Sequence, residues 1–478
     1  MTSFHANLIA GDWCDGDAAP NINPSDRDDV VGHYARASEA QTQDAIAAAK
    51  AAFPAWSRSG PLERHAVLRK AADEILARKD ELGRLLSREE GKTLAEGISE
   101  TVRAAQVFDF FAGEALRLAG EVLPSVRPGV GVEITREAMG VVGIITPWNF
   151  PIAIPAWKIA PALCYGNTVV FKPADLVPGS AWAICDILHR AGLPAGVLNL
   201  VMGRGSIVGE TMVNSPDVDA LTFTGSVGTG RSILAKSSPF MRKLQLEMGG
   251  KNPMVVLDDA DINVAVEAAV NGAFFSTGQR CTASSRLIVQ AGIHDRFVDA
   301  MVERLKSVRV DHALKEGTDI GPVVDESQLA QNERYIGIGR EDGANLAFGG
   351  ERLTRDTDGF FQQPALFTEA TNDMTIAQEE IFGPVAAVIR VSDYDEALAV
   401  ANDTEFGLSA GICTTSLKHA THFKRNAEAG MVMVNLPTAG VDFHVPFGGR
   451  KGSSYGSREQ GRYAAEFFTT VKTAYQRA

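Results

Sequence analysis

The order of hydrophobic and polar positions divides the chain into segments of two kinds. Alanine-rich stretches with apolar residues three or four positions apart predict helices over Ala35–Lys50, Leu62–Arg78 and Ser87–Leu118. After a break rich in proline and glycine, short apolar runs predict strands at Val132–Thr135 and Met139–Ile145. The first quarter of the chain is therefore expected to be mainly helical, and strands follow it.

From Thr168 onwards the pattern alternates between short apolar strands and longer amphipathic helices, and it restarts after Gly250. This βαβα order predicts two α/β domains, each built on a doubly wound parallel sheet, in which ligands bind at the carboxyl ends of the strands. The predicted strands are Thr168–Phe171, Val197–Val201, Ala220–Phe223, Pro253–Leu257 and Leu287–Val289, and the predicted helices are Ser180–Ala191, Ile207–Val213, Ile262–Phe275 and His294–Val308.

Two further features concern the ends of this pattern. The alternation continues to Asn435, which extends the second domain to that region. Glu466–Tyr475 then reads as a strand without a local partner, so it is predicted to pair with another subunit.

Composition limits the kinds of protein this chain can be. Of its 478 residues, 45% are hydrophobic and 22% are charged, so large cores are expected and global disorder is excluded. The 46 Lys and Arg residues against 59 Asp and Glu residues give a formal net charge of −13, which argues against nucleic acid and anionic membranes as partners. Met1–Trp13 has no basic start and no apolar core, so no signal peptide is expected. The longest apolar stretches, such as Ala138–Thr146, are too short for a membrane span.

The cysteines indicate a cellular compartment and one special side chain. They are scattered, without a CxxC pair, at positions 14, 164, 185, 281 and 413. This arrangement predicts a reducing, cytoplasmic setting, with neither a disulfide framework nor a metal site. Cys281 follows a predicted helix in a turn rich in Gly, Ser and Thr, where it is either an activated nucleophile or a buried structural thiol.

Two other side chains occupy positions where catalysis is one of two interpretations. Glu247 stands just before two glycines, where it is either a general base or a solvated carboxylate at a helix end. Asn149 lies in a rigid Pro-containing turn after a strand, where its amide either stabilises an oxyanion or serves only the turn. Each residue taken alone leaves both alternatives open.

Two glycine-rich loops join a predicted strand to a predicted helix. The loop Gly203–Gly209 departs from GxGxxG because its last glycine comes one residue late, and the loop Phe223–Gly230 opens a helix whose N-terminus suits a phosphate group. Each loop by itself is equally compatible with a plain tight turn.

Seven short motifs, taken together and in order, resemble the aldehyde dehydrogenase superfamily over essentially the whole chain. Their spacing also matches that family, and the segments Ala153–Trp157 and Phe447–Gly456 are most similar to its α-ketoglutaric semialdehyde dehydrogenase branch. The motifs are Pro147–Pro151, Phe171–Pro173, Phe223–Ser226, Leu246–Lys251, Gly278–Cys281, Glu379–Pro384 and Pro446–Gly449.

The resemblance implies an NAD(P)-dependent oxidation of an aldehyde to a carboxylic acid. By this similarity Cys281 is the nucleophile, Asn149 stabilises the oxyanion, and Glu247 activates the water that hydrolyses a thioester. Glu459 resembles a family residue tied to proton relay or stability, and the structural role is favoured.

A CoA-acylating member would release the same thioester differently, which the presence of Glu247 argues against. A non-catalytic protein on this fold is a third reading.

The same resemblance implies a set of cofactor contacts, with NAD favoured and NADP as the alternative. Asp175 stands where many NAD-preferring members carry Glu, and its negative charge is expected to repel a 2′-phosphate. The residues expected to bind the cofactor are Ile145, Thr146, Pro147, Trp148, Lys172, Asp175, Gly205, Gly225, Ser226, Thr229, Glu380 and Phe382.

The expected substrate is a small aldehyde with an anionic group at its far end. Arg103 and Arg280 are predicted to bind that group, although a surface Arg103 and a structural ion pair of Arg280 are the plainer alternatives. Phe150, Trp157 and Phe447 would supply apolar walls. α-Ketoglutaric semialdehyde is favoured over succinate semialdehyde, because many enzymes for the latter carry Arg where Trp157 stands, and a hydrophobic aldehyde is the third alternative.

The resemblance also implies a domain plan and an oligomer. It places the dinucleotide-binding domain at residues 1–117 and 139–249 and the catalytic domain at residues 250–446. Residues 118–138 and 447–478 would form a small β oligomerisation flap that joins a homodimer or homotetramer. If the two arginines face the substrate, the acidic chain encloses a locally cationic tunnel.

Overall fold

The computed structural model describes residues 3–477 and contains the two kinds of element that the pattern predicts. The strands are β1 Phe4–His5, β2 Asn7–Ile9, β3 Asp12–Cys14, β4 Asp17–Asn23, β5 Asp26–Arg36, β6 Glu121–Pro124, β7 Val130–Ala138, β8 Val141–Ile145, β9 Thr168–Lys172, β10 Leu198–Leu200, β11 Ala220–Thr224, β12 Lys243–Glu247, β13 Asn252–Val256, β14 Ser284–Gln290, β15 Asn345–Phe348, β16 Ala365–Ala370, β17 Val385–Val391, β18 Phe406–Gly407, β19 Ser409–Cys413, β20 Met431–Val434, β21 Arg450–Lys451, β22 Ser454–Tyr455 and β23 Thr469–Arg477.

The α-helices alternate with these strands through most of the chain. They are α1 Glu39–Trp56, α2 Pro61–Ala77, α3 Lys79–Glu90, α4 Leu94–Glu114, α5 Ala153–Cys164, α6 Pro178–Arg190, α7 Glu210–Asn214, α8 Val227–Ser237, α9 Ile262–Phe274, α10 Ala291–Lys306, α11 Glu326–Glu341, α12 Thr375–Gln378, α13 Tyr394–Asn402, α14 Leu417–Asn426 and α15 Ala465–Phe468. No helix within residues 3–477 combines the length and apolarity that a bilayer crossing requires.

The first large sheet has the strand order β22-β12-β11-β8-β9-β10-β2-β3. Its five middle strands, β12 to β10 in that order, are parallel. Every residue of β9 and β11 is buried, as expected for strands covered by helices on both faces. The chain order reverses between β8 and β11, and this switch point is where a doubly wound sheet opens a crevice for a ligand.

The second large sheet has the order β15-β16-β17-β14-β13-β19-β20 and is parallel except at β15. Its strands β13 and β14 are rich in buried Val, Leu and Ile, and α9 and α10 contribute apolar faces to one core cluster with them. The predicted architecture of two doubly wound α/β domains with a small β flap is therefore confirmed.

The small sheet has the order β23-β7-β6 and is separate from both large sheets. All nine residues of β23 pair with β7 of the same chain, from Thr469 opposite Ala138 to Arg477 opposite Val130. The strand predicted at Glu466–Tyr475 has no local partner, as expected, but it pairs within its own chain with a strand more than 300 residues upstream, beyond the reach of local pattern. Its pairing with another subunit stays a prediction. The other residues after 447 lie elsewhere: β22 pairs with β12 and β21 pairs with β18.

Several helix boundaries differ from the predicted ones, because capping side chains and a glycine, rather than apolar periodicity, decide where these helices begin and end. Ala35 and Arg36 close β5, and α1 begins only after the Ser38 capping box. The long helix predicted over Ser87–Leu118 is two helices, since Gly91 adopts the left-handed conformation with φ 100° and ends α3. Thr93 then caps α4.

Candidate active site

The carboxyl ends of the first sheet's parallel strands meet at one edge. The turn after β8 carries Asn149, β9 ends at Lys172, and β12 ends at Glu247. The loop after β10 leads to Gly205, and the loop after β11 carries Gly225 and Ser226. Because all five strands are parallel, these predicted residues share this edge.

The second sheet presents the opposite ends of its strands to the same site. Cys281 lies three residues before β14, and Glu380 and Phe382 precede β17. Gly250, just before β13, donates its N–H to Glu380 Oε1 at 3.0 Å. The reactive region is thus assembled between the carboxyl edge of one domain and the amino edge of the other.

Cys281 is half-buried, whereas Cys164, Cys185 and Cys413 are buried in the two cores. Burial, followed by the charges of Glu380 and Glu247, raises the pKa of the Cys281 thiol to about 12. The thiol is therefore neutral at physiological pH in the protein without ligand. Attack on a carbonyl requires that this proton be removed or that a positive charge be brought close.

Asn149 is buried, and its side chain is held by the loop that carries the cysteine. Its Nδ2 donates to the carbonyl of Gln279 at 2.9 Å, which accounts for one of the two hydrogens on that amide nitrogen. Its own carbonyl accepts from Lys92 Nζ. The remaining amide hydrogen is the one suited to an oxyanion beside Cys281.

Glu247 is buried at the end of β12 and accepts a short hydrogen bond from Ser454 Oγ. Burial and the nearby charge of Glu459 raise the pKa of the Glu247 carboxyl well above its ordinary value, and Ser454, Lys158 and Arg458 act in the opposite direction. A carboxyl with a raised pKa is a stronger base than a solvated glutamate once it is ionised. Glu247 therefore has the properties of a general base.

Lys158 belongs to this cluster but escaped the sequence reasoning. It is fully buried in α5, donates to Thr222 Oγ1 at 2.7 Å, and forms a salt bridge with the buried Glu459. The second carboxylate oxygen of Glu459 has no hydrogen-bond partner in the described chain. A lone lysine inside the otherwise apolar segment Ala153–Cys164 was the available sequence clue, since a buried lysine needs a charged or polar partner.

A cavity of about 750 Å³ opens beside the thiol of Cys281. It brings together every residue predicted to bind the substrate. These are Arg103, Phe150, Trp157, Arg280 and Phe447. The rings of Trp157 and Phe447 stack with centroids 5.5 Å apart and form an apolar part of the cavity wall.

The cationic residues on this cavity differ in how their charges are balanced. Lys92 pairs with Glu100 at 2.8 Å, and Arg280 Nη2 lies 3.3 Å from Glu96 Oε1. Arg280 therefore makes the structural ion pair that was the plainer alternative, although it also lines the cavity. Of the two arginines on which a locally cationic tunnel was predicted, Arg280 therefore has its charge offset by Glu96.

Arg103 is the exception on the cavity wall. Its Nη2 donates to the neutral Gln460 Oε1 at 3.1 Å, and its guanidinium lies 5.8 Å from the Trp157 ring centroid. No carboxylate in residues 3–477 lies within salt-bridge distance of it, and its buried Nε has no hydrogen-bond partner. Burial lowers the pKa of Arg103, with Asp442 and Glu100 opposing that shift. The guanidinium keeps its charge and retains donors for an anionic ligand.

The groove along the first sheet's edge has the polar groups that a dinucleotide requires. Ser226 caps α8 and donates to Thr229 Oγ1 at 2.9 Å, while a Cβ on Gly228 would meet no atom within 4 Å, so the helix N-terminus is open. Gly225 must lack a side chain because a Cβ there would lie 2.5 Å from the Phe223 ring. Thr146 Oγ1 is buried without a protein partner. These residues fit a bound pyrophosphate and ribose.

The remaining predicted cofactor residues lie on either side of that groove. Ile145 and Pro147 are half-buried beside the turn, and Gly205 begins the π-helical turn Gly205–Gly209. The Trp148 and Phe382 rings meet edge to face with centroids 5.4 Å apart. Burial raises the pKa of Glu380 to about 7, so its charge at neutral pH depends on what binds beside it.

Lys172 and Asp175 make contacts that the sequence did not show. Lys172 Nζ donates to the Pro173 carbonyl at 2.7 Å, and burial lowers the pKa of this lysine to about 8. Both carboxylate oxygens of Asp175 accept from Arg36, at 3.1 and 2.6 Å. The negative charge expected to repel a 2′-phosphate is therefore paired with a guanidinium.

Comparison with known proteins gives a consistent result over the full length. The sequence profile described as "Aldehyde dehydrogenase family" matches residues 13–474. The chain is 45% identical to the alpha-ketoglutaric semialdehyde dehydrogenase of Bacillus subtilis over 98% of each chain, and 36% identical to the mitochondrial succinate-semialdehyde dehydrogenase of Arabidopsis thaliana over 97% of this chain and 88% of the other. The crystal structure of a Staphylococcus aureus betaine aldehyde dehydrogenase in complex with NAD+ superimposes with a TM-score of 0.97 at 34% identity, covering 99% of this chain and 95% of that one.

Proposed function

We propose, from the premise that this chain belongs to the aldehyde dehydrogenase family, that its NAD(P)-dependent reaction converts α-ketoglutaric semialdehyde to 2-oxoglutarate. The observation that carries the substrate is the cavity between Cys281 and Arg103. The half-buried Cys281 thiol and the Arg103 guanidinium both line it, and no carboxylate of residues 3–477 lies within salt-bridge distance of that guanidinium. A short aldehyde with a terminal carboxylate can meet the thiol with its carbonyl and the guanidinium with its carboxylate. The Bacillus relative named for this substrate shares more identity with the chain than the Arabidopsis relative named for succinate semialdehyde.

In the first half of the reaction the Cys281 thiol loses its proton to water, the sulfur bonds to the aldehyde carbon, and the carbonyl π electrons move to oxygen. The free amide hydrogen of Asn149 and the backbone N–H of Cys281 would stabilise that oxyanion. A nicotinamide dinucleotide held at Thr146, Ser226 and Glu380 would supply the acceptor for the hydride that this carbon loses. The oxyanion electrons then re-form the C=O bond, and a thioester on Cys281 remains.

In the second half water replaces the sulfur. Glu247 takes a proton from the water, whose oxygen attacks the thioester carbon, and the Cys281 thiolate leaves as the carboxylic acid forms. Ser454 orients the Glu247 carboxylate through its hydrogen bond. The buried pair Lys158 and Glu459 also acts on the pKa of Glu247, which Glu459 raises and Lys158 lowers.

The substrate assignment predicts that Arg103 discriminates by charge. Arg103→Met keeps the stem that packs near Trp157 and removes the donors. Its kcat/KM for α-ketoglutaric semialdehyde should fall roughly 10- to 100-fold, the value of a charge-assisted hydrogen bond. An uncharged aldehyde of equal length should change by less than about threefold, because it makes no such bond.

Steady-state kinetics test this assignment with three substrates: α-ketoglutaric semialdehyde, succinate semialdehyde and the uncharged aldehyde. The parent and Arg103→Met are compared with Arg103→Lys, the control that retains the charge. Equal use of the uncharged aldehyde by the parent would refute the anion site. A higher kcat/KM for succinate semialdehyde than for α-ketoglutaric semialdehyde would move the assignment to that alternative.

We propose that the Arg36–Asp175 pair lets the enzyme use both NAD and NADP, because Arg36 offsets the charge of Asp175 that would repel a 2′-phosphate. Arg36→Ala leaves Asp175 uncompensated, so the ratio of kcat/KM for NADP over NAD should fall about tenfold, while Asp175→Ala should raise it. Arg27→Ala is the matched control, since Arg27 forms an exposed ion pair with Asp358 elsewhere. An unchanged ratio in both variants would contradict this role.

We further propose a cytoplasmic homodimer or homotetramer assembled through the β flap. Val122 and Val126 are 83% and 101% exposed, and β6 and β23 leave two free strand edges on the small sheet. Sedimentation should therefore find a species at a multiple of 51.0 kDa. A monomer at micromolar concentration would contradict the proposal. A role in sugar-acid degradation follows only if the substrate assignment holds.

A further inference from the structure

The turn between α3 and α4 contacts both loops that carry the reactive side chains. It consists of the left-handed Gly91, Lys92 and the cap Thr93, and Glu96 follows in the first turn of α4. Lys92 stands before the cap and Glu96 three residues after it. Their side chains reach in different directions, one to the loop of Asn149 and the other to the loop of Cys281.

Lys92 holds the Asn149 loop. Its ammonium donates to the Asn149 carbonyl, donates to Glu100 Oε2 at 2.8 Å, and lies 3.7 Å from the centroid of the Phe150 ring. Glu100 Oε1 in turn accepts from the N–H groups of Ile152 and Ala153, each at 3.0 Å. The side chains of Lys92 and Glu100 are both buried, with 2% and 3% of their surface exposed.

Glu96 holds the Cys281 loop. Its Oε2 accepts from the Thr93 N–H at 3.1 Å, which is all that the capping box requires. Its Oε1 faces the other domain and accepts from Ser276 N at 2.9 Å, Ser276 Oγ at 2.7 Å and Arg280 Nη2 at 3.3 Å. The second oxygen therefore serves the segment that leads into Cys281.

That segment has backbone strain that needs an external contact. Ser276 and Thr277 have φ values of 51° and 58°, a left-handed conformation that residues other than glycine rarely adopt. Thr277 Oγ1 is tied to the Gly321 carbonyl at 3.1 Å, and Ser276 is tied to Glu96. Loss of the Glu96 contact allows the turn to relax and moves Cys281, five residues beyond Ser276.

We propose that Lys92 and Glu96 are positioning residues which, from one turn, set the placement of the oxyanion donor Asn149 relative to the nucleophile Cys281. This inference rests on the roles proposed above for those two residues. Neither Lys92 nor Glu96 need touch the reacting atoms. Each acts through the loop that it contacts, and because both stand close together in the chain, they fix the two loops to one part of the fold.

The test compares the rate of the first NADH burst, which reports thioester formation, with the rate at which iodoacetamide alkylates Cys281. Lys92→Met should lower the burst rate roughly 10- to 100-fold, because the oxyanion donor is displaced, while alkylation stays within about twofold. Glu96→Ala should lower both rates about tenfold, because the cysteine itself is displaced. Lys92→Arg, which keeps a donor for the Asn149 carbonyl, should recover much of the burst.

A control separates positioning from the loss of a helix cap. Gln41 occupies the same position in the capping box of α1, so Gln41→Ala should lower the melting temperature as Glu96→Ala does and leave the burst unchanged. An equal loss of burst in Gln41→Ala would overturn the proposal, as would parent-like bursts in both Lys92→Met and Glu96→Ala. Turnover that survives in Cys281→Ala would instead overturn the proposed function itself.

Discussion

Replacing Cys281 by alanine is expected to lower NADH production from the aldehyde by at least about 10³-fold, because the covalent route disappears. The thiol is the only sulfur of the described chain that lines the 750 Å³ cavity. No neighbouring serine or threonine would supply a nucleophile of comparable strength at neutral pH. Aldehyde binding, which depends on Arg103 and the aromatic walls, should persist.

Cys14 offers the matched control, because it is the other cysteine that is not fully buried. Cys14→Ala should keep turnover and should keep its inactivation by iodoacetamide. Steady-state assays of both variants, with mass spectrometry of the alkylated protein, check this. Unimpaired turnover in Cys281→Ala would remove the covalent mechanism and favour a binding protein on this fold.

The second large effect is expected at Glu247. Glu247→Gln should produce one NADH per active site in a burst and then turn over roughly 10²- to 10⁴-fold more slowly, because the general base for hydrolysis is absent. A thioester trapped on Cys281 should then be visible by mass. Rapid-quench kinetics measure the two phases, and Glu405→Gln, a substitution at an exposed ion pair, is the control.

Glu247→Gln should also make the Cys281 thiol more reactive, although it slows deacylation. The charge of Glu247 helps to raise the pKa of Cys281, so its removal lowers that pKa and increases the thiolate fraction at a pH where Glu247 is ionised in the parent. Alkylation of Cys281 should therefore become faster while deacylation becomes slower. Steady-state turnover equal to the parent would rule out Glu247 as the base, and slower alkylation would contradict its electrostatic effect on the thiol.

Ser454 allows the Glu247 assignment to be tested by pH. Its hydrogen bond favours the ionised carboxylate, so Ser454→Ala should raise the pKa of Glu247 further. Since the base form then appears only at higher pH, the acid limb of the kcat profile should shift to higher pH.

Local pattern was sufficient for the elements and for the reactive side chains. Apolar periodicity placed strands such as β9 and β11 within a residue of their observed bounds, because a strand covered on both faces must be apolar throughout. The motifs around Cys281, Glu247 and Asn149 predicted residues that the fold brings to one cleft. Their catalytic roles remain predictions until the variants above are measured.

Only the tertiary structure could decide the partners of those side chains. These partners are 139 to 301 residues apart in the chain: Lys158 with Glu459, Arg36 with Asp175, and Glu96 with Ser276 and Arg280. Sequence spacing carries no information about such contacts, since each depends on how two sheets and their loops dock. The charge of an arginine is visible in the sequence, but whether a carboxylate offsets it is not.

The formal charge of −13 illustrates the same division. Composition alone showed that the chain is acidic and large enough for sizeable cores, and the order of the motifs predicted the fold and the class of reaction. The fold decided that Arg280 and Lys92 are neutralised by carboxylates while Arg103 remains available to a ligand. A charge acts over a few ångströms in a partly dry cavity, so its effect is set by neighbours that only the folded chain supplies.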